Sequence, residues 1–580
     1  LLILWRHFYG YSQGLLAIWF IALTLAAMPF FFQRVRSYSF DLSKDDVMPL
    51  ILLVGVSIPL FILFLDRLPI QMAVDEVVTL AETKEVLSHA RDWLGPSGYH
   101  DYPNMGYVCF GNLAKLFGSL SITTLREANA LIGIVTVAAL YVFYRSSCQI
   151  FFALNAATVA GFCHSFIGLS KIGIRGNVDV LVEVISYTIL IASAKLRCQF
   201  LAFLGGATAG GAYYFYYPAR STIIVWGLTN ALASLPLDKA GRREVWHLFA
   251  ISLFAFFMTA LPEMIASAER ADPYVKQQLL FTKEGMAQQM DRESTHNPNI
   301  AYFNNVTNSL SAFNTNKTDS WGNYWNPGHG LVEPITGLLL WIGLLGLVLE
   351  KKERDQVNWV ATVSLTGFCV LLFVYTFILS TAPAYTRAIL LIPFVGFFAV
   401  KGAFVLGAVF DSALSKLSFS KAMFLSQMAV VILVLMIFAS NLAFVVAWLN
   451  MGFVYGDRFG TAIRYVEARH DRPDYKFYIV TSIATPSVER SFLPWKTGTD
   501  SEWLLGLAST RQEFKAIEPE SFCADIEKGL LDGKPIKPPL TVFVTRSITP
   551  CLDSFVRLHP QVKMYPISPG YEYAALELDK

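Results

Sequence analysis

Met48-Pro49-Leu50-Ile51-Leu52-Leu53-Val54-Gly55-Val56-Ser57-Ile58-Pro59-Leu60-Phe61-Ile62-Leu63-Phe64-Leu65 runs directly into Asp66-Arg67-Leu68-Pro69-Ile70-Gln71-Met72-Ala73-Val74-Asp75-Glu76-Val77-Val78. The first part carries no charge and is long enough to cross the hydrocarbon core of a bilayer. The second opens a charged amphipathic segment, so Asp75 and Glu76 lie within a few residues of a membrane surface. Two readings fit such a pair. Acidic residues in the first turn of a helix are favoured by the helix dipole, and an enzyme acting on lipid-linked substrates needs a base near the interface. The rest of the chain bears on the choice.

Apolar runs recur along the 580 residues, of which 54% are hydrophobic and only 16% charged. They predict helical spans near 14–32, 48–65, 124–144, 149–169, 180–194, 199–216, 221–237, 245–262, 335–349, 357–379, 388–409 and 422–448, because inside lipid each segment must satisfy its own backbone hydrogen bonds. The fold class expected is an α-helical polytopic membrane protein of about 12 spans with a C-terminal extramembrane α/β domain. Three parts follow: 1–47 with an extra helix and a loop, 48–449 as the membrane body, and 450–580.

Short connections on one side carry Arg34, Arg36, Lys44, Arg145, Lys195, Arg197, Lys239, Arg242, Arg243, Lys351, Lys352, Arg354, Lys416 and Lys421. The positive-inside rule makes that side cytoplasmic. The outer side, periplasm or lumen, then holds 66–123, the connection near 170–179, the loop 263–334, the loop 380–387 and the tail. An integral multi-pass protein of a bacterial inner membrane or its equivalent is expected, acting on its outer face.

The net charge of +2 and the lack of a basic stripe give no ground for a nucleic-acid partner. No CxxC or His-rich spacing marks a metal site. Cys109, Cys148, Cys163, Cys198 and Cys369 are expected to pack as small apolar groups. Cys523 and Cys551 fall in a polar region, where a disulfide is open in an oxidising compartment.

In the first outer segment, apolar residues alternate with Glu76, Glu82, Lys84, Glu85 and Arg91 at helical spacing, which predicts a helix lying in the interface plane. A second short helix, Val108 to Phe117, is expected to end at Gly118. Lys171, Arg175 and Asp179 are spaced at four, so one helix would bring them to one face. Glu183 lies one turn deeper than Asp179 and is costly there unless paired or wetted. Arg220, after Tyr213-Tyr214-Phe215-Tyr216-Tyr217, and Arg387, after Tyr385, are either interfacial anchors or a bidentate clamp on phosphate. The loop 263–334 reads as a lid or as disordered. It contains Trp321, Tyr324 and Trp325, which suit stacking on a sugar or an isoprenoid, and the acceptor patterns Asn305-Val306-Thr307 and Asn316-Lys317-Thr318 for N-glycosylation. In the tail, strands are expected at 477–481, 540–545 and 573–578, with helices around 458–469 and 502–517.

The order of these features resembles the polyprenyl-phosphate-dependent GT-C glycosyltransferases, in particular the family 39-like group of protein O-mannosyltransferases and lipid A aminoarabinose transferases. Four features carry the resemblance: Asp75-Glu76 after the span; His100-Asp101-Tyr102-Pro103-Asn104-Met105-Gly106-Tyr107 with Leu116-Phe117-Gly118 and Leu125-Arg126; Asp179 at the mouth of a later span; and Arg387 in an outer segment. It spans roughly residues 48–400. Pro103-Asn104 and His100-Asp101 depart from the family pattern, which leaves subfamily and acceptor open.

The resemblance implies inverting transfer of a sugar from a polyprenyl-phosphate donor to an acceptor hydroxyl. Asp75 would be the general base, with Glu76 orienting it or the acceptor, and a carboxylate pair this close raising the pKa of one member. Asp101 or Asp179 would place the acceptor or ligate a divalent cation, and His100 would be a further substrate-binding residue. Arg387 first, then Arg220, with Lys171 and Arg175 behind, would hold the leaving phosphate, beside Tyr217 and Tyr385. The partners implied are the lipid-linked donor, a glycan, lipid or protein acceptor, and membrane lipid. A transporter or flippase is the competing class; it would call for internal repeats and broken helices near the midplane, and no repeat is evident.

Overall fold

The computed structural model describes residues 13–31, 43–65, 72–89, 93, 102–174, 176–216, 218–268, 279–315, 330–349, 357–380, 385–416, 422–451, 456–457, 476–480, 514–517, 519–545, 549–566 and 573–578. Each of the twelve apolar runs is helical there: Gln13–Phe31, Val47–Ile62, Ile122–Arg145, Ile150–Gly161 with His164–Ser170, Gly176–Leu196, Gln199–Gly211, Thr222–Ser234, Lys239–Ala268, Pro334–Leu349, Trp359–Phe373, Ile392–Lys416 and Ala422–Met451. Large apolar side chains stay exposed along them, among them Ile51, Leu52, Leu435 and Met436. A water-facing surface would not carry such a belt. The chain is an integral membrane protein.

Among the described residues, seven helices are long and apolar enough to cross a membrane, or eight if the bent pair is one span. Gln199–Gly211 and Thr222–Ser234 have 13 residues each, about 20 Å of helix. They fall short of the ~30 Å hydrocarbon core. Between them the chain forms 3₁₀ turns at Ala212–Tyr214 and Pro218–Ser221. The run expected at 149–169 is broken after Gly161, and its halves are bent by 60°.

Because lipid gives no hydrophobic drive between helices, close approach depends on small residues. Pro334–Leu349 and Ile392–Lys416 show this: a Cβ on Gly343 would lie 1.8 Å from the Phe398 carbonyl oxygen, and one on Gly402 2.2 Å from that of Leu339. The Gln13–Phe31 helix docks on the body through Trp19, whose indole N–H donates to the Met258 carbonyl at 3.1 Å.

The two ends of the bundle differ. At one end Asp46 accepts from Tyr141 at 2.5 Å and from Arg145 at 2.7 Å, and Lys195 caps the Ser146 carbonyl at 2.7 Å. The other end carries the helices Val74–Leu87 and Asn104–Lys115 and a C-terminal sheet. That sheet has five strands in the order β4-β3-β7-β9-β8, where β3 is Lys476–Val480, β4 Phe514–Ile517, β7 Leu540–Thr545, β8 Lys563–Pro566 and β9 Tyr573–Leu578; the short strands β5, Leu530–Leu531, and β6, Lys534–Pro535, pair with each other. β3 runs parallel to β4 and β7; β9 is antiparallel to β7 and β8. The helix expected around 502–517 is therefore a strand in its described part, because Phe514–Ile517 completes the parallel edge of β3. The stretch 458–469 lies outside the described residues.

Cys523 and Cys551 are disulfide-bonded and join the helices Pro519–Ile526 and Thr549–Leu558. Their separation of 28 residues corresponds to about 3–4 kcal/mol of denatured-state entropy. Reduction, or Cys523→Ser with Cys551→Ser, should lower the stability of this unit by that order, read as earlier proteolysis of the tail at unchanged membrane-helix content. Cys163 and Cys198 are buried as expected, whereas Cys109 and Cys369 are exposed.

The sheet is packed onto the membrane body. Phe477, Phe543 and Ala575 share one apolar cluster with Leu80, Phe110, Ala114, Ile122, Leu125, Ala128 and Val178. Two short strands add a backbone tie: β1, Met72–Ala73, pairs antiparallel with β2, Gly456–Asp457, just beyond the last membrane helix. The Val74–Leu87 helix is consequently enclosed, with Glu76, Val78, Leu80, Glu82, Thr83 and Val86 all buried. It does not lie half-immersed in an interface. Gly111 lets Asn104–Lys115 cross it, since a Cβ there would meet Thr83 at 2.2 Å.

Candidate active site

Asp75 and Glu76 stand in the first turn of Val74–Leu87, and successive helix residues point about 100° apart. Glu76 turns inward and is fully buried. Its Oε1 accepts from Arg126 Nε at 2.7 Å and from the Gly173 N–H at 2.6 Å; its Oε2 accepts from Arg126 Nη2 at 2.8 Å. Arg126, near the start of Ile122–Arg145, is also fully buried. A bidentate pair with an added backbone donor is the geometry that makes a buried carboxylate tolerable. Arg126 supplies a counter-charge, so Asp75 and Glu76 are not a bare carboxylate pair. Glu76 ties the Val74–Leu87 helix to two other elements, while Asp75 beside it remains partly exposed.

Residues 171–174 form a built turn, not a helix. The Asn129 side chain donates to the carbonyls of Leu169 and Ile172, each at 2.7 Å, and Asn177 donates to the Ser170 hydroxyl at 2.7 Å. This turn separates Lys171 from Asp179, so the shared helical face expected for them does not exist. Buried Lys171 points its ammonium at the Leu63 and Phe61 carbonyls, 3.1 and 3.5 Å away, at the end of Val47–Ile62. Burial, with the Arg126 charge adding to it, pulls its pKa down to about 8. Its ammonium closes a helix end.

Asp179, Tyr216 and Arg387 come together from three elements. Asp179 lies in the first turn of Gly176–Leu196 and is buried; its Oδ1 accepts from the Tyr216 backbone N–H at 3.2 Å. Arg387 Nε donates to the Tyr216 hydroxyl at 3.3 Å, and the Tyr216 ring lies 5.5 Å from that of Tyr102. Arg220, four residues on, donates to the Tyr213 carbonyl at 3.3 Å and stands 4.6 Å from the Tyr213 ring centre. A carboxylate and two guanidiniums thus gather at the end of the bundle that carries Asp75. Val178, next to Asp179, and Leu80, on the helix of Asp75, belong to the same apolar cluster.

His100, Asp101, Arg175, Tyr217 and the side chain of Tyr385 lie outside the described residues. Among the described residues, no group of three or more His, Cys, Asp or Glu is placed to hold a metal ion.

The segment 279–315 is ordered into the helices Lys283–Arg292 and Pro298–Ser311. Leu279 bridges to Leu379, and buried Asn305 donates its side-chain amide to the carbonyls of Thr376 and Leu379. Asn305 is therefore committed to the interior and cannot serve as a glycan acceptor. Asn316, Trp321, Tyr324 and Trp325 lie outside the described residues.

Sequence reasoning missed Arg126 as a partner and Tyr216 as the link between Asp179 and Arg387. An Arg at the start of a mostly apolar span, beside Glu127 and Asn129, was the available signal for the first. The second rests on a backbone N–H, which no residue type announces.

No protein-family description and no curated protein matches the sequence. Several solved structures do. ArnT from Cupriavidus metallidurans bound to undecaprenyl phosphate is 13% identical, with 91% of this chain and 97% of that one covered and a TM-score of 0.46. The Archaeoglobus fulgidus oligosaccharyltransferase AglB, in complex with an inhibitory peptide and a dolichol-phosphate, is 10% identical over 92% of this chain and 74% of that one, at a TM-score of 0.48. The S. cerevisiae protein O-mannosyltransferase Pmt1–Pmt2 complex bound to the sugar donor is 15% identical over 45% of this chain and 38% of that one, at 0.34. Every one of these TM-scores is below 0.5, too loose a superposition to carry chemistry from those proteins to this one.

Proposed function

We infer that this protein is an inverting glycosyltransferase that moves a sugar from a polyprenyl-phosphate donor to an acceptor hydroxyl. What supports this reading most is the convergence of Asp179, Tyr216 and Arg387 at the bundle end where partly exposed Asp75 stands on a helix locked by Glu76 and Arg126. A donor lipid entering from the bilayer would meet Arg387 and Arg220 as phosphate ligands. Asp75 takes the proton of the acceptor hydroxyl as its oxygen attacks the anomeric carbon, the bond to the phosphate oxygen breaks on the opposite face, and the polyprenyl phosphate leaves. The guanidiniums stabilise the charge gathered on that phosphate. Glu76 holds Asp75 in place and does not itself touch the reacting atoms. In this reading 48–449 is the transferase body, 1–47 adds a helix and 450–580 forms a periplasmic or lumenal unit. The cations Arg145, Lys195 and Arg197 at the opposite end support that sidedness.

The test is transfer of radiolabelled sugar from a panel of polyprenyl-phosphate sugars in membranes holding the protein, with the anomeric configuration of the product determined. Transfer with inversion is expected. Arg387→Ala should lower turnover about 100-fold, the loss typical for one preorganised charge donor. No transfer from any donor, across acceptors and divalent ions, would reject the reading.

The 60° break between Ile150–Gly161 and His164–Ser170 favours a second reading, a transporter of lipid-linked sugars, because broken helices line transport sites. Here the new N-terminus is already occupied: the His164 N–H donates to the Asn441 side chain at 2.8 Å, and Ser165 donates to the Leu331 carbonyl at 2.6 Å. Movement of labelled lipid across proteoliposomes without any transfer would restore this second reading.

A further inference from the structure

Beneath Asp179 the membrane helices hold polar groups that the transfer step above does not use. Glu183 is one turn further along Gly176–Leu196, on the same face as Asp179, and is fully buried. One of its carboxyl oxygens accepts from the Tyr187 hydroxyl at 3.3 Å; the other meets no hydrogen-bonding partner. The hydroxyl of Tyr375, a side chain only 3% exposed, also has none. Tyr375 comes from a different helix, in the π turn Val374–Ile378, and lies within electrostatic reach of Glu183, Arg387, Tyr216 and Asp179. Wide π turns of this kind occur often at functional sites. This one is held from outside by Asn305, whose amide donates to the carbonyls of Thr376 and Leu379.

Buried polar groups without partners are rare and costly. Two in one neighbourhood, from separate helices, point to a ligand that completes them. A carboxyl and a phenol between them accept and donate, the complement of neighbouring hydroxyls on a ring. The surroundings are aromatic: Tyr187 packs against Phe394 at 6.1 Å, and Tyr102 against Tyr216 at 5.5 Å. Few convergent polar groups in an aromatic setting are the usual make-up of a small-molecule site. The guanidiniums of Arg387 and Arg220 attract the phosphate, and the hydrogen-bonding groups of Glu183 and Tyr375 suit a neutral polyol.

We propose that Glu183 and Tyr375 form a subsite that reads the hydroxyl groups of the donor sugar while Arg387 holds its phosphate. This rests on the glycosyl-transfer reading and adds the residues that choose the sugar. They are specificity residues that meet the sugar's hydroxyl groups and take no part in the proton transfer.

The experiment is lipid binding by the detergent-purified full chain, measured by thermophoresis. The two probes are a short-chain polyprenyl phosphate and the same lipid carrying a hexosyl group. The wild type should bind the hexosyl lipid at least ten-fold more tightly. Glu183→Leu and Tyr375→Phe should each remove most of that factor and leave affinity for the bare lipid phosphate within two-fold. Glu183→Gln, which keeps a hydrogen-bonding side chain, should retain more of it than Glu183→Leu. Tyr375→Phe strands no hydrogen-bond partner, whereas Glu183 is the acceptor of the Tyr187 hydroxyl, so Glu183→Leu is made together with Tyr187→Phe; folded, monodisperse variants are expected and are checked by gel filtration. Equal weakening for both lipids would show a structural role and overturn the proposal, as would no change for either. A wild type that binds both lipids equally defeats this subsite alone. One that binds neither defeats the transfer reading and the subsite with it.

Discussion

Arg126→Met should destabilise the folded protein by about 3–5 kcal/mol, the usual cost of stranding one member of a buried ion pair. Glu76 would stay fully buried and lose both hydrogen bonds to the guanidinium. The same substitution made together with Glu76→Leu removes both charges and should recover most of the loss, since a well-packed apolar pair is often as stable as a buried salt bridge. The midpoints of thermal unfolding for the two single variants and the double variant, in detergent, give a double-mutant cycle. Coupling near zero would mean that Arg126 and Glu76 do not act as a pair. Transfer activity of the single variants should fall together with their stability, because Asp75 is placed by the turn that Glu76 anchors.

Asp75→Asn should lower turnover by about 10²–10⁴-fold, the range ascribed to a positioned general base. Asn preserves shape and cannot take the proton, so KM for the donor should stay within a few-fold while kcat collapses; that split marks an interaction made only in the transition state. Asp179→Asn should behave differently. Its Oδ1 holds the Tyr216 backbone, and an amide oxygen can still accept that bond, so the loss should be smaller and should include KM. Full turnover by Asp75→Asn would move the base elsewhere; Glu76, with both oxygens bound to Arg126, is a poor successor.

How far the chain could be read in advance depended on whether the deciding physics was local. Membrane helices are local: each apolar run satisfies its own backbone, so the twelve helices were legible, though not that Gln199–Gly211 and Thr222–Ser234 would be short. The strands at 476–480, 540–545 and 573–578 were legible from β-branched and aromatic runs, but β4 was not, because Phe514–Ile517 becomes a strand by pairing with β3. Position alone left Asp75 and Glu76 with two readings, a favourable helix dipole and a base near the membrane surface. The partner that separates their roles lies fifty residues away in sequence, beyond any periodicity argument. Lys171 and Asp179 failed for a related reason. A spacing of four implies a common face only on an unbroken helix, and here the turn is fixed by Asn129 and Glu76 from other elements.

The pairing of Met72–Ala73 with Gly456–Asp457 sets the order in which the protein becomes complete as it is made. The segment leading into Asp75 leaves the ribosome early, yet its strand partner is synthesised only after the last membrane helix, Ala422–Met451. Until then the acidic segment lacks one of its two flanking supports. The chain therefore finishes its candidate site as nearly its last act of assembly, and a chain released before residue 457 carries Asp75 without the backbone that seats it.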